Sequence, residues 1–116
     1  GYSETCVFCK VSKGLMRADI VYQDEAVVAF KDIHPQAPVH VLVIPRHHIT
    51  ALWEVDESHV ALLGSIMLAC SKIASAIGVS DSGYRLVVNT GPDAGQSVDH
   101  LHFHMMGGRK LQWPPG

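Results

Sequence analysis

The stretch DHLHFHMMGG, residues 99–108, places three histidines at alternate positions with apolar residues between them. In a β-strand, side chains two residues apart lie on one face, about 6.6 Å from one another at a rise of about 3.3 Å per residue. In a helix the same three residues would spread around the axis and share no face. The alternation therefore predicts a strand with the imidazoles of His100, His102 and His104 on one face and the apolar residues on the other.

The composition bounds the size of the protein and the kinds of partner it has. The chain has 116 residues, of which 47% are hydrophobic, and this fits a single domain over residues 1–116. The formal net charge is -2 and no run of Lys or Arg stands out, so long nucleic acids are not expected partners. No apolar run approaches the roughly 20 residues of a membrane span, and the first residues lack a signal-peptide layout. We therefore expect no membrane partner and a cytoplasmic protein, with entry to the nucleus left open.

The order of hydrophobic patterns predicts an α+β domain. Between Asp56 as N-cap and Gly78 as C-terminal stop, apolar residues recur every three or four positions, which predicts a long helix. A short helix is expected near the first cysteines. Strands are predicted in residues 19–32 (a hairpin), 39–45, 83–91 and 98–108. The expected architecture is an antiparallel sheet packed by one long and at least one short helix.

Three imidazoles on one face suit two kinds of chemistry. They can converge on a metal ion, or they can handle a phosphate with one histidine as nucleophile and its neighbours as hydrogen-bond donors. The preceding loop, residues 89–97, favours phosphate because Gly91 and Gly95 allow unusual backbone angles and free N–H groups. Its polar side chains are Asn89, Gln96 and Ser97. Under strand alternation Asp99 points to the opposite face, so catalysis by a metal ranks second.

These motifs resemble the histidine triad (HIT) superfamily. The signature His-x-His-x-His-x-x with apolar x is found here from His100 to Met106. Three further blocks, FKDIHPQAPVHVLVIPRHHI (30–49), GYRLVVNTGPDAGQSVDHLHFHMMGG (83–108) and WPPG (113–116), are similar to the Hint branch, the purine nucleoside phosphoramidases. The resemblance implies a HIT-like fold with a five-stranded antiparallel sheet. It also implies a homodimer in which two such sheets form one of ten strands.

The resemblance assigns a role to each histidine of the site. It makes His102 the nucleophile that attacks the α-phosphorus and forms a nucleotidyl-histidine, which water then hydrolyses. It makes His104 a hydrogen-bond donor to the phosphate or leaving group, with Ser97 beside it. His100 orients the others, and His40 supports the nucleophile from the adjacent strand. The phosphate pocket would also include Asn89, Gly95 and Gln96.

The resemblance also implies how the nucleoside is held. Asp32 would accept hydrogen bonds from the ribose hydroxyls, while Phe30 and Ile33 would form apolar walls around the base. Trp113, in the C-terminal WPPG, would reach the active site of the partner subunit. Read without the resemblance, the same positions are a turn residue, core hydrophobes and a tail residue.

The three cysteines are too few and too scattered for a disulfide framework. Cys70 is expected to be a small buried hydrophobe in the long helix. Cys6 and Cys9 form a Cys-x-x-Cys pair similar to that of HIT relatives with a structural zinc, which implies the set Cys6, Cys9, His48 and His100. The alternatives are His47 in place of His48, or two reduced thiols with no metal.

We therefore predict a nucleotide hydrolase that cleaves the P–N bond of adenosine, or more broadly purine nucleoside, 5'-phosphoramidates. Its partners would be the nucleoside monophosphate, its phosphoramidates and a second copy of the chain. A structural zinc is the cofactor considered, and no organic cofactor is implied. The alternatives are a dinucleoside polyphosphate hydrolase of the same fold and a nucleotide-binding regulatory protein.

Overall fold

A computed structural model describes residues 1–116 as one five-stranded antiparallel sheet with one long and one short helix. The sheet has the order β1-β2-β3-β5-β4, which leaves β1 and β4 at its edges. The helices are α1 (Val7–Ser12) and α2 (Val60–Ile77), and the strands are β1 (Ile20–Gln23), β2 (Val27–Lys31), β3 (Val39–Pro45), β4 (Tyr84–Val88) and β5 (Phe103–Gly107). The α+β class, the hairpin and the order of elements predicted from the sequence are confirmed.

The prediction that the last strand spans residues 98–108 was wrong in its first half. Pairing with β3 begins at Phe103, opposite Val43, so His104 alone of the three histidines lies in a strand. Upstream, the Leu101 N–H donates to the Ile49 carbonyl. The Pro45 carbonyl, which would pair with β5 if the strand were longer, instead contacts the His100 ring. The segment that carries His100 and His102 is therefore held by side chains and loops rather than by sheet pairing.

The alternation of apolar residues and histidines nevertheless separates two hydrophobic cores. Leu101, Phe103 and Met105 are buried in the core between the sheet and α2. The opposite face of the sheet packs against α1, where Phe8 and Phe30 meet edge to face with ring centroids 5.4 Å apart. The histidines therefore lie on the face covered by the short helix, which leaves part of that face open.

The long helix ends where the sequence predicts, whereas α2 itself begins at Val60, because the predicted N-cap Asp56 caps the 3₁₀ turn that precedes it. Asp56 accepts a hydrogen bond from the Ser58 N–H in a capping box with His59, and a 3₁₀ turn at residues 57–59 leads into α2. Gly78 closes the helix at φ 94°, a left-handed conformation that favours glycine. Cys70 is buried on the inner face of α2, as predicted, and burial raises the pKa of its thiol to about 11.

The expectation that no segment could span a membrane was too strict. Residues 57–77 form a helix long and apolar enough to cross a bilayer by length and composition. Its residues Ile66, Cys70 and Ile73 are buried against the sheet. A core helix that packs on a sheet can meet the same criterion, which makes one such helix weak evidence for a membrane span.

Candidate functional site

A compact cluster of side chains lies where the start of α1 meets the segment before β5. Its members are Cys6, Cys9, His48 and His100. The ligand atoms lie within 4.8 Å of one another, with the His100 Nδ1 3.3 Å from Cys6 Sγ and 3.2 Å from His48 Nδ1. Cys9 Sγ lies 3.3 Å from His48 Nδ1 and 3.6 Å from His100 Nδ1. Residues from three separate parts of the chain thus present two thiols and two imidazole nitrogens to one point.

The ring of His100 is held so that one nitrogen faces the thiols. Its Nε2 lies 2.9 Å from the Pro45 carbonyl oxygen, which can only accept, so the proton is on Nε2 and Nδ1 carries a lone pair. Burial lowers the pKa of His100 to about 4, which keeps the ring neutral. Burial also raises the pKa of the Cys6 thiol in the metal-free chain. A cation at the cluster would therefore meet a ready imidazole and displace a proton from the thiol.

The spacing of the cluster fits a tetrahedral zinc ion. Ligands about 2.0 to 2.3 Å from a tetrahedral ion stand about 3.3 to 3.8 Å from one another. The observed contacts match that range closely, and the donors are of the types zinc prefers. The ring of His47 is exposed and lies outside the cluster, so His48 is the histidine that the fold brings to the cysteines. The cluster fits a structural zinc site.

His102 has the opposite arrangement of its ring nitrogens. Its Nδ1 lies 2.7 Å from the carbonyl oxygen of His100, so Nδ1 carries the proton and Nε2 holds a free lone pair. The ring is 3% exposed and packs edge to face on Phe8, with centroids 5.2 Å apart. A neutral imidazole fixed in this way is a nucleophile with a defined direction.

A chain of hydrogen bonds orders the rings beside His102. The Gln36 N–H donates to His40 Nδ1 at 3.0 Å, so the proton of His40 is on Nε2, which lies 2.9 Å from His104 Nδ1. His104 accepts at Nδ1 and therefore carries its own proton on Nε2. The centroids of the His102 and His104 rings are 5.2 Å apart. The pair thus combines a lone pair on one ring with an N–H donor on the next.

The surroundings of His40 and His104 favour the neutral form of both rings. Burial lowers the pKa of His40, and the nearby Asp32 carboxylate, 3.4 Å from His40 Nε2, partly offsets that shift. Burial, followed by the neighbouring rings of His102 and His40, lowers the pKa of His104. Both rings can therefore keep the donor and acceptor roles that their hydrogen bonds assign at neutral pH.

An apolar cleft of about 330 Å³ lies next to the histidine site, because Phe8, which packs on His102, and Leu42, which pairs with His104, both line it. It contains the predicted nucleoside residues Phe30, Asp32 and Ile33 together with Ser97. Residues that sequence reasoning did not assign to it also line it: Val7, Phe8, Val11, Met16, Arg17, Ala18, Lys31, Leu42 and Val98. The apolar spacing Val7, Phe8, Val11 on the predicted short helix is the signal that points to α1 as a wall.

The loop before the triad has a defined shape. Gly91 has φ 80°, and a Cβ there would come 2.7 Å from the Trp53 ring, so the position requires glycine. The Gln96 side chain accepts from the Gly91 N–H at 3.0 Å and donates to the carbonyls of Thr50 and Val98 at 2.7 and 3.0 Å. Gln96 thus braces the loop with both of its amide protons, and its predicted contact with phosphate would replace one of these bonds.

The remaining predicted site residues lie in the loop before the triad, directly after β4 and in the C-terminal tail. Gly95 ends a 3₁₀ turn at φ 74°, and Ser97 is exposed at the mouth of the apolar cleft, with no backbone acceptor for its N–H. Asn89 directly follows β4 and is half-buried. Trp113 is 79% exposed, and the Arg85 guanidinium carbon lies 5.7 Å from its ring centroid. Trp113 therefore packs on its own chain, away from the histidines.

The chain is similar to known proteins in both sequence and fold. The HIT domain profile matches residues 13–111. A 14 kDa zinc-binding protein of Zea mays is 44% identical over 112 residues, covering 95% of this chain and 87% of that protein. A crystal structure of a HIT family hydrolase from Legionella pneumophila superposes with a TM-score of 0.95 at 45% identity, covering 97% of this chain and 100% of the other.

A histidine triad nucleotide-binding protein from Candida albicans superposes with a TM-score of 0.81 at 30% identity, covering 97% of this chain and 85% of that one. The profile match covers most of the chain, and the alignments with the maize and Legionella proteins cover 95% and 97% of it. These likenesses and the ordered triad lead to one assignment. The chain belongs to the HIT family.

Proposed function

We propose that this protein hydrolyses the P–N bond of adenosine and related purine nucleoside 5'-phosphoramidates. The observation that carries the proposal is the pair of opposed nitrogens: His102 Nε2 has a free lone pair and His104 Nε2 carries a proton. A nucleophile beside a donor suits attack on phosphorus with stabilisation of the charged oxygens. The solved relative from Legionella, a HIT family hydrolase, supports hydrolysis as the reaction class.

The reaction proceeds in two displacements at phosphorus. His102 Nε2 forms a bond to the α-phosphorus while the P–N bond breaks, and its electron pair stays with the amine nitrogen, which takes up a proton from water. Water then attacks the phosphorus of the nucleotidyl-histidine, loses a proton and releases neutral His102. The sum is one phosphoramidate and one water converted to a nucleoside monophosphate and an amine. Splitting the displacement lets one pocket serve two similar transition states.

The residues around the nucleophile supply charge stabilisation and position. The His104 Nε2–H donates to a phosphate oxygen, and the Ser97 hydroxyl and N–H, at the mouth of the apolar cleft, donate to another oxygen or to the leaving nitrogen. His40 acts through His104 by fixing its tautomer. His100 fixes the tautomer of His102 with its carbonyl and is a positioning residue.

The nucleoside occupies the apolar cleft. The base packs between Phe30 and Ile33, whose side chains lie on the walls of a space of about 330 Å³. Asp32 Oδ1 already accepts from the His34 N–H at 2.8 Å, and the carboxylate has further lone pairs for the ribose hydroxyls. The Candida relative, a histidine triad nucleotide-binding protein, supports a nucleotide as the ligand.

The active protein is proposed to be a cytoplasmic homodimer. Strand β4 lies at an edge of the sheet with one side of its backbone unpaired, and α2 exposes Val60, Met67 and Leu68. An unpaired edge and an apolar helix face favour association with a second copy. Trp113, which is 79% exposed, would then leave its contact with Arg85 and reach the partner's cleft. A particle of 12.6 kDa by light scattering, the mass of one chain, would contradict the dimer.

Steady-state hydrolysis of a fluorogenic adenosine tryptamine phosphoramidate tests the activity. We expect His102→Asn to lower kcat by about 1,000-fold or more, since the nucleophile is removed. The control His34→Asn, an exposed histidine outside the site, should keep wild-type kinetics. A His102→Asn variant as active as the wild type would refute the proposal. A wild type that hydrolyses only dinucleoside polyphosphates would point to the alternative activity.

A further inference from the structure

A second cleft, of about 460 Å³, lies between the N-terminal turn and the loop before the triad. We call it the polar cleft. It is lined by four residues with hydroxyl groups, Ser3, Thr5, Thr50 and Ser97, and by the carboxylate of Asp99. Its composition contrasts with the apolar cleft, where most lining residues are hydrophobic. The two clefts are therefore suited to different parts of a ligand.

The two clefts meet at one ridge. Val7, Ser97 and Val98 line both of them, so a ligand can pass from one cleft into the other across Ser97. With the nucleoside in the apolar cleft and the phosphate beside His102 and Ser97, the substituent on the far side of the phosphate is directed to the polar cleft. This step rests on the proposed function, which supplies the phosphoramidate.

Asp99 gives the polar cleft its charge. The strand begins only at Phe103, so Asp99 does not follow strand alternation and instead lies exposed at the rim of this cleft. Its carboxylate forms no ion pair and no hydrogen bond within the chain. No Lys or Arg lines the cleft. A cation of the ligand would be the partner of this carboxylate.

The neighbouring metal cluster does not cancel that charge. Cys6 and His48 also line the polar cleft, and a zinc ion with two thiolates and two neutral imidazoles carries no net charge. The single negative charge therefore belongs to Asp99. We propose that the polar cleft binds the amine portion of the phosphoramidate and that Asp99 selects amines with a cationic substituent.

The test compares three adenosine phosphoramidates that differ in the amine: tryptamine (neutral), 1,3-diaminopropane (a free ammonium) and β-alanine (a free carboxylate). The measured quantity is the ratio of kcat/KM for the ammonium compound to that for the carboxylate compound, at low ionic strength. We expect Asp99→Asn to lower this ratio about fivefold, the effect of an exposed ion pair. Asp93→Asn, with the same change of net charge in the same loop but outside the cleft, should leave the ratio unchanged.

A second variant tests the cleft without removing Asp99. Thr5→Lys places a cation at an exposed position of its lining and should also lower the ratio. Equal ratios in the wild type and in both variants would overturn the inference. So would an equal drop for Asp93→Asn, because the effect would then come from net charge alone.

Binding measurements distinguish a failure of this inference from a failure of the proposed function. Calorimetric Kd values for the same three compounds, measured with His102→Asn, report the preference without turnover. An Asp99-dependent Kd ratio together with absent hydrolysis by the wild type would refute the proposed activity and keep the cleft. Hydrolysis with a Kd ratio that does not depend on Asp99 would refute the cleft and keep the activity.

Discussion

His100 and His102 are two residues apart, yet they present opposite ring nitrogens. His100 donates from Nε2 to the Pro45 carbonyl and offers Nδ1 to the thiols, whereas His102 donates from Nδ1 to the His100 carbonyl and keeps the lone pair on Nε2. One ring belongs to a buried cluster that fits a metal, and the other to a site that fits a phosphate. A carbonyl accepts only from the protonated nitrogen of a ring. The backbone carbonyl beside each ring thus decides which nitrogen keeps a lone pair and can bind a metal or attack phosphorus.

The two sites also differ in how closed they are. His100 is fully buried and all four of its cluster's ligand atoms face one another, which is the arrangement of a structural metal site. His104 is half-buried and lies opposite Leu42, a residue that lines the apolar cleft, so this site is the more open of the two. One segment of chain therefore contributes to a cluster that fits a structural metal at one end and to the proposed phosphate site at the other.

The largest effect is expected from opening the metal cluster. Cys9→Ser should lower bound zinc from about one ion per chain to near zero. It should lower the free energy of unfolding by about 4 kcal/mol or more, the stabilisation a ligand gives when its free concentration is about 1,000 times its Kd. Metal analysis and urea unfolding check this, with Cys70→Ala, a cysteine outside the cluster, as the control that keeps its metal. Full zinc content in Cys9→Ser would remove the cluster as the metal site.

A smaller effect is expected from pH in the metal-free protein. The folded pKa of His100 is lowered to about 4, so below pH 6.5 the unfolded chain binds a proton that the folded chain does not. Stability from this group is complete above pH 6.5 and is lost as the pH falls toward 4. Between pH 6.5 and 5 the loss is about 2 kcal/mol.

Urea unfolding in the presence of a chelator measures this slope. The lowered pKa values of His40 and His104 act in the same direction below pH 6.5. Hydrogen bonds from Ser58 lower the pKa of Asp56 below 3.8, so its contribution falls outside this range. A free energy of unfolding that is constant from pH 6.5 to 5 would show that His100 is not held neutral.

The smallest effect is expected from removing the hydrogen bond that His40 donates to His104. His40→Ala removes the donor to His104 Nδ1, so the ring can take the other tautomer and turn its lone pair toward the phosphate. We expect kcat to fall about tenfold, roughly 1.4 kcal/mol, with little change in KM. His40→Gln, whose amide can donate in place of the ring, should recover part of the rate. Equal loss in both variants would mean that His40 acts by packing rather than by hydrogen bonding.

Sequence reasoning went furthest where local rules apply. Periodicity and capping residues predicted a long helix between Asp56 and Gly78, and α2 lies within those bounds. The members of the cluster came instead from the resemblance to HIT relatives with a structural zinc, which implied Cys6, Cys9, His48 and His100. Sequence reasoning failed at the first half of the last strand. There the pattern of alternation is real, but the hydrogen bonds of Leu101 and His100 go to Ile49 and Pro45 instead of to a ladder. Alternation reports which face is buried and does not report which partner a backbone group finds.

The sequence by itself determined the class of fold, the long helix and the residue types of both sites, because hydrophobic period and side-chain chemistry are properties of the chain. Only the tertiary structure decided which nitrogen each histidine offers, which wall Phe8 forms and where Asp99 points. Those features depend on carbonyls and rings brought together from distant parts of the chain. No local sequence pattern predicts these contacts between carbonyls and rings, because they form only once the sheet and α1 have packed.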